Sequence, residues 1–137
     1  MKSIYTICYV SKASSELTKN DIERLFNYTA STNSKFDVSG MLLHSLGNFF
    51  QVLEGEEKHL LGLYEKIKED VRHGDIYEVY NKRTNQPVFN NYNSKFDIVK
   101  TSEDLDMLIT YLNQDRSNST NHKLKRLLQP FAMLGEF

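Results

Sequence analysis

Apolar and polar residues alternate over several short stretches of this chain, a pattern typical of strands that bury one face. In residues 3–11, this alternation places Tyr5, Ile7, Tyr9 and Ser11 on the same face. Further stretches rich in β-branched and aromatic residues predict four more strands, at residues 38–45, 48–54, 76–80 and 94–99. A glycine between the first two of these four supplies the positive φ of a tight turn, so they are expected to form a hairpin.

Two segments between the predicted strands carry apolar residues at helical spacing. The first follows residues 18–21, which resemble a capping box, and its apolar face carries Ile22, Leu25, Phe26 and Thr29. The second carries Leu60, Tyr64, Ile67 and Val71, and we expect it to end near the basic residues and glycine at 72–74. One predicted helix therefore follows the first strand, and the other follows the hairpin.

The last third of the chain predicts two more helices. One starts at residues 101–104, and the polar run 113–122 after it is interpreted as a linker. The other has an apolar stripe in which Pro130 should kink or end the helix, formed by Leu124, Leu127, Leu128 and Phe131. The order βαββαββ predicts an α+β fold with a ferredoxin-like mixed sheet. Two helices should cover one face of the sheet, and the C-terminal helices the other.

Composition narrows the class of protein. With 137 residues, 39% of them hydrophobic, the chain is long enough for one folded domain with a modest core. Its 17 basic and 18 acidic residues form no basic stripe, so nucleic acid is not an expected partner. No apolar run approaches the ~18 to 20 residues of a membrane span. The lone Cys8 cannot form an internal disulfide, and we expect a soluble cytoplasmic protein.

Tyr9 and Gln51 are polar residues in strands whose pattern otherwise calls for hydrocarbon side chains. Such groups need a buried hydrogen-bond partner, because a polar group buried without one loses free energy. A glutamine has two donors and one acceptor, a tyrosine has one of each, and both can reverse their hydrogen-bonding sense. The two residues are therefore candidates for a switchable pair.

Enzymatic chemistry has little support in this sequence. The four histidines, at positions 44, 59, 73 and 122, show no metal-ligand spacing, so no metal site is predicted. Neither a phosphate-binding P-loop nor a dinucleotide-binding glycine motif is present. We therefore expect a protein that is not an enzyme.

Five separated anchors in this chain resemble the BLUF family, the blue-light sensors that use flavin. They are Tyr9-x-Ser11, Asn33, residues 38–43, residues 49–55 around Gln51, and residues 70–73. Their intervals also fit, since 42 positions separate Tyr9 from Gln51, 18 separate Asn33 from Gln51, and 21 separate Gln51 from Arg72. The resemblance covers roughly residues 2 to 99. It implies a flavin-binding domain at residues 1–100 and a helical extension at residues 101–137.

The resemblance also implies a site and a mechanism. The flavin ring would lie without a covalent bond between the first two helices, over the sheet face that carries Tyr9 and Gln51. On excitation by blue light, Tyr9 would supply an electron and a proton, and Gln51 would emerge rotated or tautomerised. Contacts with the cofactor are implied for Ser11, Leu25, Asn33, Gln51, Lys66, Ile67, Asp70, Arg72 and His73. FAD is favoured, while FMN and riboflavin stay open because they share the ring.

Several of these residues have plainer interpretations. Leu25 and Ile67 could be ordinary core contacts. Asn33 could merely end the first helix in the left-handed conformation. Arg72 and His73 could complement the negative end of the second helix dipole, and Lys66 could be an ordinary solvated lysine.

Three positions depart from the family pattern. Tyr92 and Ser94 stand where relatives commonly have tryptophan and methionine, and Thr32 stands where many have asparagine or histidine. Light sensing should survive these changes, since Tyr9 and Gln51 remain, but signal transmission through the last strand would use different chemistry. The alternative function is an interaction module of the same fold that binds no flavin. In either case we expect a homo-oligomer and a downstream signalling protein as partners.

Overall fold

The computed structural model describes residues 4–89, 92, 96–114, 118–135 and 137, and these contain the predicted strands and helices in the predicted order. They are β1 (Ile4–Ala13), α1 (Lys19–Lys35), β2 (Ser39–Ser45), β3 (Asn48–Gly55), α2 (Glu57–Glu69), β4 (His73–Thr84), β5 (Phe96–Val99), α3 (Ser102–Asn113) and α4 (Ser119–Leu134). Thr18 and Asp21 form the expected capping box at the start of α1. Ser94, which the sequence assigned to the last strand, lies outside the described residues.

The five strands form one mixed sheet in the order β4-β1-β3-β2-β5. All neighbouring strands are antiparallel except β2 and β5, which are parallel. In the central pair, Tyr9 of β1 lies directly opposite Gln51 of β3. Residues opposite each other on one face are close enough for their side chains to interact. The register of the two strands thus brings together two residues that are 42 positions apart in the chain.

Each face of the sheet has its own apolar core, because side chains alternate between the faces along every strand. On one face, Ile7 and Leu53 pack with residues of α1 and α2 such as Phe26 and Leu60. On the other face, residues of the same strands pack against α3 and α4, among them Cys8, Phe50, Val52, Leu105, Leu108, Leu124 and Leu128. The predicted α+β ferredoxin-like sheet, with two helices on one face and the C-terminal helices on the other, is confirmed.

Two glycines make the hairpin of β2 and β3 possible. The turn between the strands is Leu46-Gly47, and both residues have positive φ, at 55° and 74°. This is the backbone of a two-residue hairpin turn, and holding a leucine there costs about 1 kcal/mol. Gly40 has a φ of 143°, and a Cβ at that position would lie 1.9 Å from the carbonyl oxygen of Val52. Only glycine lets β2 approach β3 in this way.

The end of α2 differs from the prediction. The helix stops at Glu69 instead of near residues 72–74, and Val71, assigned to its apolar face, is 90% exposed. Asp70 is extended, with ψ at 120°, and its carboxylate accepts the backbone N–H of Arg72. This local bond turns the chain out of the helix. As a result β4 already begins at His73, three residues before the predicted start.

The fourth helix also differs from the prediction at both of its ends. The expected polar linker stops at Asn118, whose side chain accepts the N–H groups of Thr120 and Asn121 and so starts α4 early. Pro130 lies inside α4 and does not end it. Leu128 and Phe131 are buried on either side of that proline, and this packing holds the helix through it. Within the described residues, no helix combines the length and the apolar character needed to cross a bilayer.

Candidate functional site

A cleft of about 570 Å³ lies between α1 and α2, over the sheet face that carries Tyr9 and Gln51. Its volume falls within the roughly 300 to 1,000 Å³ of small-molecule sites. Apolar side chains such as Leu25 of α1 and Ile67 of α2 line its sides. Gly62 lines it too, and a Cβ there would meet nothing within 4 Å. The cleft therefore has room for a ligand that approaches the α2 backbone.

Tyr9 and Gln51 are joined by a buried hydrogen bond beneath this cleft. Gln51 Nε2 donates to the Tyr9 hydroxyl oxygen at 2.6 Å, and the two residues are 3% and 4% exposed. Gln51 Oε1 is also buried, and no donor among the described residues reaches it. Leaving such an acceptor unpaired costs about 1 to 3 kcal/mol. The site therefore holds a polar group whose hydrogen bonding a ligand could complete.

The surroundings of Tyr9 keep its phenol protonated. Burial raises the pKa of Tyr9 well above its usual 10, although the hydrogen bond from Gln51 opposes that rise. A second phenol lies close by, since the ring centroids of Tyr9 and Tyr64 are 5.8 Å apart. Burial also raises the pKa of Tyr64, to about 12. At neutral pH both hydroxyls carry their protons, so Tyr9 has one to transfer.

Asp70 and Arg72 form an ion pair where the chain leaves α2, and both line the cleft. Arg72 donates from Nη2 to Asp70 Oδ2 at 2.6 Å and from Nε to Oδ1 at 3.0 Å. The hydrogen bonds from Arg72 hold the pKa of the Asp70 carboxyl below its usual range. The pair places a fixed, mutually neutralised set of donors and acceptors in the lining of the cleft.

His73 lines the cleft from the first position of β4, and both of its ring nitrogens are occupied. Nε2 lies 2.6 Å from the carbonyl oxygen of Ile67, and Nδ1 lies 2.6 Å from Ser11 Oγ. A carbonyl can only accept, so Nε2 carries a proton. Ser11 is 1% exposed and does not line the cleft. Its contact is with the histidine ring, which it holds in place.

The model of the BLUF family, described as sensors of blue light using FAD, matches residues 4–95. The chain belongs to the BLUF family. Among curated proteins, it is 30% identical over 108 residues to photoactivated adenylate cyclase subunit alpha of Euglena gracilis. That match covers 79% of this chain and 10% of the relative. The chain thus spans about a tenth of the length of this larger protein, which is named for a cyclase.

Solved BLUF structures have the same architecture. The BLUF domain of BlrP1 superposes with a TM-score of 0.73 at 25% identity, covering 96% of this chain and 91% of that one. A longer structure, Klebsiella pneumoniae BlrP1 with FMN and cyclic diGMP, matches with a TM-score of 0.71 at 26% identity. This match covers 96% of the present chain and 35% of the BlrP1 chain. Flavin binding is thus a property of the family to which this chain belongs.

Four other residues that the BLUF resemblance singled out line the cleft, namely Leu25, Asn33, Lys66 and Ile67. Asn33 lies inside the last turn of α1, not after it, and is 3% exposed. The interpretation that it ends the helix in the left-handed conformation is wrong, because Asp37 is the residue there with positive φ, at 63°. A buried amide facing a ligand cleft instead fits a hydrogen-bonding role.

The residues at the mouth of the cleft were not predicted from the sequence. Tyr28 and Phe36 of the α1 side line it, as do Lys58 and His59 of α2. Phe36 and His59 stack with ring centroids 5.0 Å apart and so bridge the two sides. Tyr28 could have been found, because it lies three positions after Leu25 and so shares its side of the helix. The other residues at the mouth do not belong to an apolar stripe, so the periodic pattern gives no signal for them. Within the described ranges, no group of three His, Cys, Asp or Glu side chains could hold a metal ion.

Tyr92, which stands at the family's tryptophan position, does not line the cleft. Its ring lies against Phe89 and Tyr111, with centroids 6.2 Å and 4.6 Å away, in the core beneath α3 and α4. The phenol packed beside Tyr9 is that of Tyr64. Tyr92 is therefore positioned to contact the C-terminal helices instead of Tyr9 and Gln51.

Proposed function

We propose that this chain is a blue-light photoreceptor that holds a flavin in the cleft and signals through a change in the hydrogen bonding of Gln51. One observation carries the proposal. A buried glutamine lines the cleft, donates to Tyr9 and has an acceptor without a donor among the described residues. A glutamine in this position can reverse its hydrogen bonds without changing its shape.

The residues around the cleft suit a flavin. Leu25 and Ile67 would contact the faces of the flat apolar ring, and Gly62 leaves space beside it. Asn33 would pair with the donor and acceptor atoms at the ring's polar edge. Arg72 lines the same cleft. Lys66 at the mouth would neutralise a phosphate. FAD is the cofactor we propose, and FMN would use the same contacts up to its phosphate.

The chemistry of the switch follows from Tyr9 and Gln51. A bound flavin supplies absorption of blue light and an oxidising excited state. Tyr9 would pass an electron and its hydroxyl proton to the bound flavin and would take both back afterwards. Burial disfavours charge on the phenol, so the electron and the proton would move together. During this exchange, the Gln51 amide rotates or tautomerises. In the rotated form, the Gln51 oxygen would accept from the Tyr9 hydroxyl, whereas in the tautomer formed in place Nε2 would be the acceptor. In both forms the group that Gln51 presents to the cleft would change, and this change would be the signal.

The output is proposed to pass by protein contact. The described residues offer a sensor site and two C-terminal helices, and a sensor module that is not itself an enzyme fits these features. Cyclase activity belongs to the much longer relatives that carry it in their names. We propose a cytoplasmic homo-oligomer that acts on a downstream signalling protein. The unit that binds flavin would be residues 1–100, with residues 101–137 as its extension.

One absorption experiment tests the proposal. The purified protein should be yellow, and blue light should shift its flavin absorption slightly to the red and reversibly. Heat release of the bound compound followed by chromatography against FAD, FMN and riboflavin identifies the cofactor. A protein that stays colourless after incubation with all three flavins would instead be the interaction module without flavin.

A further inference from the structure

Glu54 is a buried carboxylate that the switch does not use. It lies on β3 three residues after Gln51 and is 1% exposed. Because side chains alternate along a strand, Gln51 and Glu54 lie on opposite faces of the sheet. Gln51 faces the cleft, and Glu54 therefore faces the core beneath α3 and α4. A buried charge is costly unless it is fully hydrogen bonded, so its partners are informative.

Both oxygens of Glu54 hold the chain that follows β4. Oε2 accepts the backbone N–H of Val88 at 2.7 Å, and Oε1 accepts that of Phe89 at 2.7 Å. Burial raises the pKa of the Glu54 carboxyl, and the two N–H donors oppose that rise. The two bonds act on consecutive residues of one short segment, residues 86–89, which we name the 86–89 turn.

The same turn is held by both C-terminal helices. The Tyr111 hydroxyl of α3 donates to the carbonyl of Val88 at 2.5 Å. Asn118, the N-cap of α4, donates from Nδ2 to the carbonyl of Gln86 at 3.5 Å. Val88 and Phe89 are also buried in the core that contains the apolar faces of α3 and α4. The 86–89 turn thus contacts the strand of Gln51 on one side and both helices on the other.

We propose that Glu54 is a positioning residue that couples Gln51 to α3 and α4 through the 86–89 turn. This inference rests on the proposed photoreceptor function. The Gln51 amide can adopt two orientations, and these make different hydrogen bonds with Tyr9 on the neighbouring strand β1. Glu54 lies on the same short strand and holds the turn by two bonds at once, so a shift of β3 moves the turn. Coupling of this kind requires contacts that differ between the two states.

The test compares Glu54→Gln with the wild type in darkness and under blue light. The amide keeps the shape of the side chain but has one acceptor oxygen where the carboxylate has two, so one of the two bonds is lost. The flavin spectrum and the red shift should stay as in the wild type. The light-dependent change in hydrogen exchange of Ser102–Asn113 and Ser119–Leu134 should fall by about threefold or more.

Glu65→Gln is the matched control, because Glu65 is an exposed glutamate whose partner is Lys68 on the same helix. It should leave the exchange difference unchanged. A merely structural Glu54 would lower protection equally in darkness and light, and an undiminished difference in Glu54→Gln would overturn the proposal. A wild type with a normal red shift and no exchange change in either helix would also overturn it. Absence of the red shift would remove the proposed function as well.

Should Glu54→Gln fail to fold, Tyr111→Phe tests the same link from α3. It removes one hydroxyl and its bond to Val88 while keeping the ring packed on Tyr92. We expect the red shift to persist and the exchange difference in α3 to fall. If Tyr111→Phe showed the same light-dependent change in hydrogen exchange as the wild type, the signal would not pass through the 86–89 turn.

Discussion

Gln51 is surrounded along its strand face by Phe49 and Leu53, so its amide has few polar neighbours to choose from. In the present orientation, the side-chain nitrogen of Gln51 donates to the Tyr9 hydroxyl oxygen. The side-chain oxygen of Gln51 has no donor in the described part of the chain. A rotation of the amide exchanges these roles. A ligand in the cleft would decide between the two orientations, and under the proposed function this would make the residue sensitive to the ligand's electronic state.

Gln51→Leu should keep the flavin and lose the red shift. Leucine still packs between its apolar neighbours but cannot change a hydrogen bond. One lost hydrogen bond is worth about 0.5 to 1.5 kcal/mol, so flavin affinity should fall by roughly tenfold or less. Difference spectra before and after blue light provide the measurement, with the exposed Gln129→Leu as control. A normal red shift in Gln51→Leu would rule out the mechanism.

Tyr9→Phe should also stay yellow and lose the reversible photocycle, because the ring remains and the transferable proton does not. Tyr64→Phe is the matched control, since it removes a hydroxyl from the neighbouring ring, which lies 5.8 Å away. Transient absorption on both variants separates the two phenols. If Tyr9→Phe retained the photocycle and a variant carrying both Tyr9→Phe and Tyr64→Phe lost it, Tyr64 would be the electron and proton donor.

The chemistry at this scale was partly predictable from sequence. Tyr9 and Gln51 were recognisable because a polar residue in an apolar strand needs a buried partner. The bond between His73 and Ser11 was not, since it depends on irregular pairing between β1 and β4 near Val10 and Lys12. The stacked pair at the mouth, Phe36 and His59, was missed because Phe36 is exposed and His59 is polar and half-buried, so neither adds to a periodic apolar signal.

At the scale of elements, β2 depends on a glycine that no other residue can replace without strain. Gly40→Ala would bring its Cβ to 1.9 Å from the Val52 carbonyl at a φ of 143°. We expect a loss of unfolding free energy on the order of 3 kcal/mol. Gly74→Ala is the control, because a Cβ there meets nothing within 4 Å. Urea unfolding of both variants measures the difference, and equal stabilities would contradict the argument.

The periodicity of apolar residues predicted which segments are helices and which are strands. It did not predict where each of them ends, because the ends depend on local hydrogen bonds. The end of α2 is set by the carboxylate of Asp70 bonding the N–H of Arg72. The start of α4 is set by the side chain of Asn118. Pro130 shows the opposite case, in which tertiary packing overrides a local signal, because Leu128 and Phe131 keep the helix intact.

At the scale of the whole molecule, one sheet separates a ligand face from a helix-covered face. Leu128→Ala removes side-chain volume from the covered face, where Leu128 is 1% exposed, and should cost about 2 to 5 kcal/mol of unfolding free energy. Flavin affinity should stay unchanged, because the residue lies across the sheet from the cleft. Leu53→Ala, which enlarges the cleft itself, should lower both the unfolding free energy and the flavin affinity. Thermal unfolding and flavin titration distinguish the two variants.

The covering of the sheet by α4 also decides how output is best studied. Deletion of residues 120–137 would uncover the apolar face that Leu124 and Leu128 now bury. Such a truncation would expose the core as well as remove the proposed signalling element. Single substitutions at the surface of α3 or α4 leave the core covered, so any effect on the light response can be assigned to the substituted residue.

Cys8 is the single cysteine of the chain and is fully buried in the core beneath α3 and α4. Burial raises the pKa of its thiol, so the reactive thiolate is scarce and shielded from reagents. A cysteine introduced at an exposed position such as Gln129 would therefore react alone with maleimides. Spin or fluorescent labels can be attached to α4 without altering the native sequence elsewhere, and distances to a bound cofactor can then be followed in darkness and light.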